Sequence, residues 1–297
     1  HKPDRRQRQM CIRDRLMHDD HCDPLHPALL SIGGGIGWVR GKKQKRRAYL
    51  LAKPLPDEWQ EIIGMDFIRY RGLPEELRRS LDGNIQVLMA EKYFEPCGGL
   101  EEVNLRMKLL ICAQAGLLLI RLKQHGFYRK LKSILVYPGA FQDSGRRRFG
   151  LHEEEADSTM LGESWSTGSV ILSWESILAG ARNADDGMNV VIHEFAHQLD
   201  QVDGAANGVP ILQQPSAYRR WAKVFLRNYD ELVGEVESGE GRRSLIDPYG
   251  ATNPAEFFAV ASETFYEEAR QLKMKQPDLY NELEGFYGVD PANWERV

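Results

Sequence analysis

The sequence predicts a mostly helical α+β fold with a small β-sheet. Apolar residues recur at helical spacing through most of residues 48–297, whereas only two short runs read as strands. The pentapeptide His193-Glu194-Phe195-Ala196-His197 lies inside one of the apolar helical segments.

Taken in order, residues 1–47 read as a disordered tail that ends in a basic linker. His1 to Arg15 is charged and aperiodic, and Gln9 to Arg15 looks like translated foreign sequence rather than native protein. His18-Asp19-Asp20-His21-Cys22-Asp23, with His26 nearby, has metal-binding residue types, but no apolar neighbours fix a site there. Arg40 to Arg47 is a basic run without interleaved aromatics and reads as a solvated linker.

Residues 48–297 form the expected domain. Pro56-Asp57-Glu58-Trp59 opens one helix, and Leu73-Pro74-Glu75-Glu76-Leu77 opens a second that carries Leu81, Ile85, Leu88 and Met89. Leu100 to Gln124 is expected to be a long core helix, apolar nearly all round in its second half. Ser133 to Tyr137 and Ser169 to Leu172 read as strands, with Arg146-Arg147-Arg148 in a solvated loop between them. The second strand is also a candidate edge for pairing with an extended peptide. Asp185-Asp186-Gly187 supplies turn and capping chemistry before the helix that holds the pentapeptide. Gly204 to Gly208 reads as a loop, and Ser216 to Leu232 as a helix with Trp221, Val224 and Phe225 facing inward. Asn253 then caps a helix that starts at Pro254.

Composition narrows the partners. The chain has 297 residues, 42% of them hydrophobic, and a net charge of −4, which suggests neither nucleic acid nor an anionic membrane. Cys11, Cys22, Cys97 and Cys112 show no paired spacing, as expected for a reducing, cytoplasmic compartment. No signal peptide or spanning segment is read, since the most apolar run, Leu109 to Leu122, is too short to cross a bilayer.

The chemistry concentrates at His193 and His197. Four residues apart on a helix, they project from one face and can grip one metal ion, and neutral imidazole suits zinc. Glu194 sits one step round that helix, where it can act as a base on water without binding the metal. A catalytic zinc usually takes a third protein ligand. Asp200 is three residues past His197, a spacing that tends to point it past the metal. Asp203 stands where the longer HExxHxxGxxH/D signature puts its third ligand, but Asp200 occupies the place of the glycine that signature needs. Glu256 competes between ligation and folding back onto the Asn253 cap. The metal needs a third ligand and no other downstream acid sits in so apolar a helix, so Glu256 is preferred.

Two stretches also carry a family resemblance. His193-Glu194-Phe195-Ala196-His197-Gln198-Leu199-Asp200 and Asn253-Pro254-Ala255-Glu256-Phe257-Phe258-Ala259-Val260-Ala261-Ser262-Glu263 closely resemble the Mlc titration factor A family of zinc peptidases. Leu135-Val136-Tyr137-Pro138-Gly139 and Gly168 to Trp174 are similar to it too, so the resemblance covers roughly residues 48–290. It implies a zincin-like, gluzincin-type core and a cytosolic peptidase with aminopeptidase-like activity. One zinc would be bound by His193, His197 and Glu256, with Glu194 as general base. Tyr249, matching a family tyrosine seven residues before the third ligand, would help stabilise the transition state. Glu263, one helical face repeat after Glu256, either orients a ligand histidine or pairs elsewhere in the core.

The expected partner is a peptide or protein substrate. The competing expectation is a regulatory protein that binds a transcriptional repressor, as the founding family members do, with peptidase activity secondary. The complete set of His193, Glu194, His197 and Glu256 argues against that, because a pure binding module has no need of a base.

Overall fold

A few prolines, asparagines and acidic pairs set where the helices begin. The computed structural model describes residues 32–122, 126–139 and 168–295, in which helices dominate over one small sheet. Helix α1 (Ile32–Ala52) is followed by α2 (Asp57–Asp66), α3 (Ile68–Gly72) and α4 (Glu75–Glu91). Pro56 and Pro74 immediately precede α2 and α4. The pairs Asp57/Glu58 and Glu75/Glu76 fill the first turns, where carboxylates complement the positive end of the helix dipole. Strand β1 (Tyr93–Pro96) leads to α5 (Leu105–Leu117), and β2 (Ser133–Tyr137) and β3 (Ser169–Ser173) follow. The remainder is helical: α6 (Trp174–Arg182), α7 (Val190–Asp200), α8 (Ala217–Glu237), α9 (Pro254–Glu267), α10 (Ala269–Lys275) and α11 (Pro277–Tyr287).

The chain divides into two compact units, His1–Lys45 and Arg46–Val297. Residues 1–31, with Cys11, Cys22 and the His18 to His26 cluster, lie outside the described residues, as do Arg146 to Arg148. The run Arg40 to Arg47 is helical, and Lys42 to Arg46 are exposed. Arg47 belongs to the second unit. Its Nε and Nη2 donate to the two Glu91 carboxylate oxygens, each at 2.7 Å, and Nη2 also donates to the Gly126 carbonyl at 3.0 Å.

Within the described residues the sheet has the order β1-β2-β3 and both pairs are parallel, with Tyr93 opposite Ser133 and Leu135 opposite Ile171. Parallel neighbours need a crossover, and α5 lies within the one between β1 and β2. Ile134, Val136, Val170 and Leu172 are buried while their neighbours are partly exposed, so one sheet face joins the core.

The expected Leu100 to Gln124 helix is shorter. The Asn104 side chain accepts from the Met107 N–H and starts α5 one residue later. The helix ends at Leu117, where Asn84 Nδ2 donates to the Gly116 carbonyl at 3.0 Å, and Leu118, Leu119, Ile120 and Leu122 stay buried beyond it while Arg121 is exposed. Two ties then brace the region around α7. Asp66 accepts from Arg106 (2.6 and 2.8 Å) and Arg182 (2.8 Å), linking α2, α5 and α6. On the other side Trp221 stacks on Phe225 with centroids 4.0 Å apart and meets the rings of Phe258 and Phe286. Removing such a buried ring costs about 3–5 kcal/mol, so this cluster anchors α8, α9 and α11 to one another. No helix among the described residues is long and apolar enough to cross a membrane.

Candidate metal centre

Helix α7 begins where Asn189, in extended backbone, accepts a hydrogen bond from the Ile192 N–H at 3.0 Å. The expected capping chemistry at Asp185 to Gly187 thus falls to Asn189, while Asp186 accepts from the Met188 N–H in the preceding turn. From this start, Val191, Ile192, Phe195, Ala196 and Leu199 bury into the core and carry the polar residues in with them. His193 is 3%, Glu194 5% and His197 0% exposed. Buried polar groups of this kind need partners, and for the two histidines α9 supplies Glu256 and Glu263.

Helix α9 packs against α7. Asn253 accepts from the Ala255 and Glu256 N–H groups, and Pro254 occupies the first helical turn. The Glu256 carboxylate turns to the histidines, with Oε2 3.0 Å from His193 Nε2 and 3.3 Å from His197 Nε2. The two Nε2 atoms are 3.2 Å apart. Zinc–ligand distances of about 2.0–2.1 Å in a tetrahedron require ligand–ligand edges of about 3.3 Å. Three donors already stand at that spacing, buried and facing one point. His193, His197 and Glu256 are the group of three or more such side chains, among the described residues, that could hold a metal ion.

The local field favours a cation at this point. Burial opposes charge on His193, yet Glu263 and Glu256 outweigh it and hold the imidazole well above its ordinary pKa. Burial likewise opposes an ionised Glu256, but bonds from His193 and His197 drive its carboxyl below the usual range. An ionised carboxylate and neutral imidazoles are the forms that bind a divalent ion, which competes with protons for them. Glu194 is not in the three-donor group. Burial pushes its carboxyl up, against the opposing pull of the two histidines.

Glu263 and Glu267 follow Glu256 by seven and eleven residues, so all three share one face of α9. Glu263 Oε1 lies 2.7 Å from His193 Nδ1, and Oε2 accepts from the Asn189 backbone N–H. Asn189 Nδ2 in turn donates to Glu267 Oε1 and to the Gly180 carbonyl. Gly180 is required there, because a Cβ on it would come 2.8 Å from the Asn189 carboxamide. The ties from Asn189 to Glu263 and Glu267 span 74 and 78 positions and were not legible in the sequence.

The other candidates fall elsewhere. Asp200 is fully buried, but its Oδ2 accepts from the Gly208 N–H at 2.9 Å and holds the loop after α7. Asp203 is exposed and accepts from the Ala205 N–H in the same loop. Tyr249 lies in a short 3-10 turn, Pro248–Ala251, whose cap Asp247 accepts from its N–H. Its ring centroid is 6.1 Å from that of His193, so it borders the centre.

The same residues sit within a stretch shared with known proteins. The model of the family described as glucose-regulated metallo-peptidase M90 matches residues 41–288. An uncharacterized protein of Synechocystis sp., slr2042, is 40% identical over 248 residues, covering 83% of this chain and 89% of that protein. Mlc titration factor A of Yersinia pestis is 30% identical over 275 residues, 88% of this chain and 94% of the relative. The protein of the same name from Yersinia pseudotuberculosis matches to the same extent, 30% over 275 residues.

Proposed function

The chain belongs to the Mlc titration factor A family of M90 metallopeptidases, and from that premise we propose that it hydrolyses peptide bonds with one zinc ion held by His193, His197 and Glu256. The observation that carries this reading is the convergence of three buried donors at 3.0–3.3 Å with Glu194 on the same helix as two of them. The donor set suits zinc, because two imidazoles and one carboxylate leave a fourth position for substrate chemistry.

Held by His193, His197 and Glu256, a bound zinc would supply Lewis acidity toward the scissile carbonyl and the attacking water. Glu194 takes the proton from the attacking water and later returns it to the leaving amine. Burial holds its carboxyl above the ordinary glutamate pKa, which strengthens it as a base. Tyr249 donates to the oxyanion that forms on the former carbonyl, a role supported by its place beside His193. The substrate is a peptide or protein, cleaved in an aminopeptidase-like manner as the family resemblance implies. The free thiols Cys97 and Cys112 support a reducing, cytoplasmic setting.

A second reading is favoured by the name of the Yersinia relatives, Mlc titration factor A. In it the chain docks a transcriptional regulator and cleaves peptides only secondarily. Glu194→Gln separates the two. It preserves shape while removing the base, so it should keep zinc and fold but lose about 10²–10⁴-fold in hydrolysis of chromogenic amino-acid and short peptide substrates. Wild type as inert as the variant over a broad panel, with zinc fully bound, would favour docking.

A further inference from the structure

Both oxygens of Glu263 are spent on α7: Oε1 lies 2.7 Å from His193 Nδ1, and Oε2 lies 2.5 Å from the Asn189 backbone nitrogen. A carboxylate accepts only, so the Nδ1 that faces it carries the proton, and a neutral imidazole then has its lone pair on Nε2. That atom is the one 3.0 Å from Glu256 and 3.2 Å from His197 Nε2.

The second bond is informative because of where Asn189 stands. Its side chain caps α7 through the Ile192 N–H, and its carbonyl accepts from the His193 N–H at 2.9 Å, one turn on. One buried carboxylate thus fixes both the ring and the helix origin from which the ring projects. Glu267 holds the Asn189 side chain from one further turn along α9.

We propose that Glu263 is a positioning residue, which holds His193 with Nε2 turned to the metal and ties that ring to the start of its own helix. The inference rests on the zinc reading above and deepens it. It separates Glu263, which acts on the ligand, from Glu267, which only supports the cap.

The test is zinc affinity of the full chain at fixed pH, measured by competition with a chromophoric chelator, for wild type, Glu263→Gln and Glu267→Gln. Glutamine has one carbonyl oxygen for two N–H donors, so it leaves His193 or Asn189 without its acceptor. Glu263→Gln should bind zinc about 10–100-fold more weakly, the range typical for loss of a group that orients a ligand. Glu267→Gln should stay within about threefold of wild type by the same comparison, although both variants disturb Asn189. Equal affinity of Glu263→Gln and wild type, or an equal loss in both variants, overturns the assignment while the zinc reading stands. Wild type that takes up no zinc overturns both. Should Glu263→Gln fail to fold, nitrogen-15 NMR of zinc-loaded wild type decides. His193 should show a strongly downfield N–H on Nδ1, and a proton on Nε2 instead overturns the proposal.

Discussion

A Cβ placed on Gly208 would lie 2.3 Å from the carbonyl oxygen of Pro254. Gly208 also has a φ of +74°, donates its N–H to Asp200 and accepts from Trp221 Nε1. It therefore clasps the end of the helix carrying His193 and His197 to the start of the helix carrying Glu256. Gly208→Ala should destabilise the chain by about 2–4 kcal/mol, combining left-handed strain with overpacking. A thermal melt should fall by about 5–15 °C, and the variant should also hold zinc less tightly.

Asp66 makes stability depend on acid. The Arg106 guanidinium, assisted by Arg182 against the cost of burial, lowers its pKa from 3.8 to about 2. A depressed carboxylate stabilises the fold above its unfolded pKa, and that contribution is lost as pH falls from about 4 towards 2. Arg106 and Arg182 are 40% and 55% exposed, so solvent screening reduces the effect to about 1–2 kcal/mol. Asp66→Asn should be less stable than wild type by that amount at pH 7, and denaturant curves of the two should converge near pH 2.

The domain boundary gives a third expectation. Cutting before Ala48, as the sequence suggests, removes the Arg47 fork that joins Glu91 and the Gly126 carbonyl. A chain beginning at Arg46 should keep the full-length melting temperature and zinc content. One beginning at Ala48 should melt several degrees lower, since a part-buried bidentate pair contributes about 1–2 kcal/mol.

What could be read in advance follows what is local. Asn253-Pro254 announces α9, and the pentapeptide with its apolar neighbours announces α7, because caps and helical spacing involve residues a few positions apart. Strand β1 leaves no strand signal in the sequence, since Tyr93-Phe94-Glu95-Pro96 is short, largely exposed and ends in proline. Its membership of the sheet depends on Ser133 and Val136, forty residues away. Helix α6 is likewise masked in the sequence, because its cap Ser173 is the last residue of β3 and the strand pattern runs straight into it. At the centre, the spacing of His193 and His197 and the preference for Glu256 over Asp200 and Asp203 were legible in the sequence. That Glu263 faces His193, one of two roles open to it from sequence, shows only in the packing of α9 on α7.

Zinc content settles the ligand set. Elemental analysis of the purified chain should find about one zinc per wild-type chain and per Asp203→Ala chain, and under a tenth of that in His193→Ala, His197→Ala and Glu256→Ala. Full zinc in Glu256→Ala with loss in Asp203→Ala would overturn the centre described here.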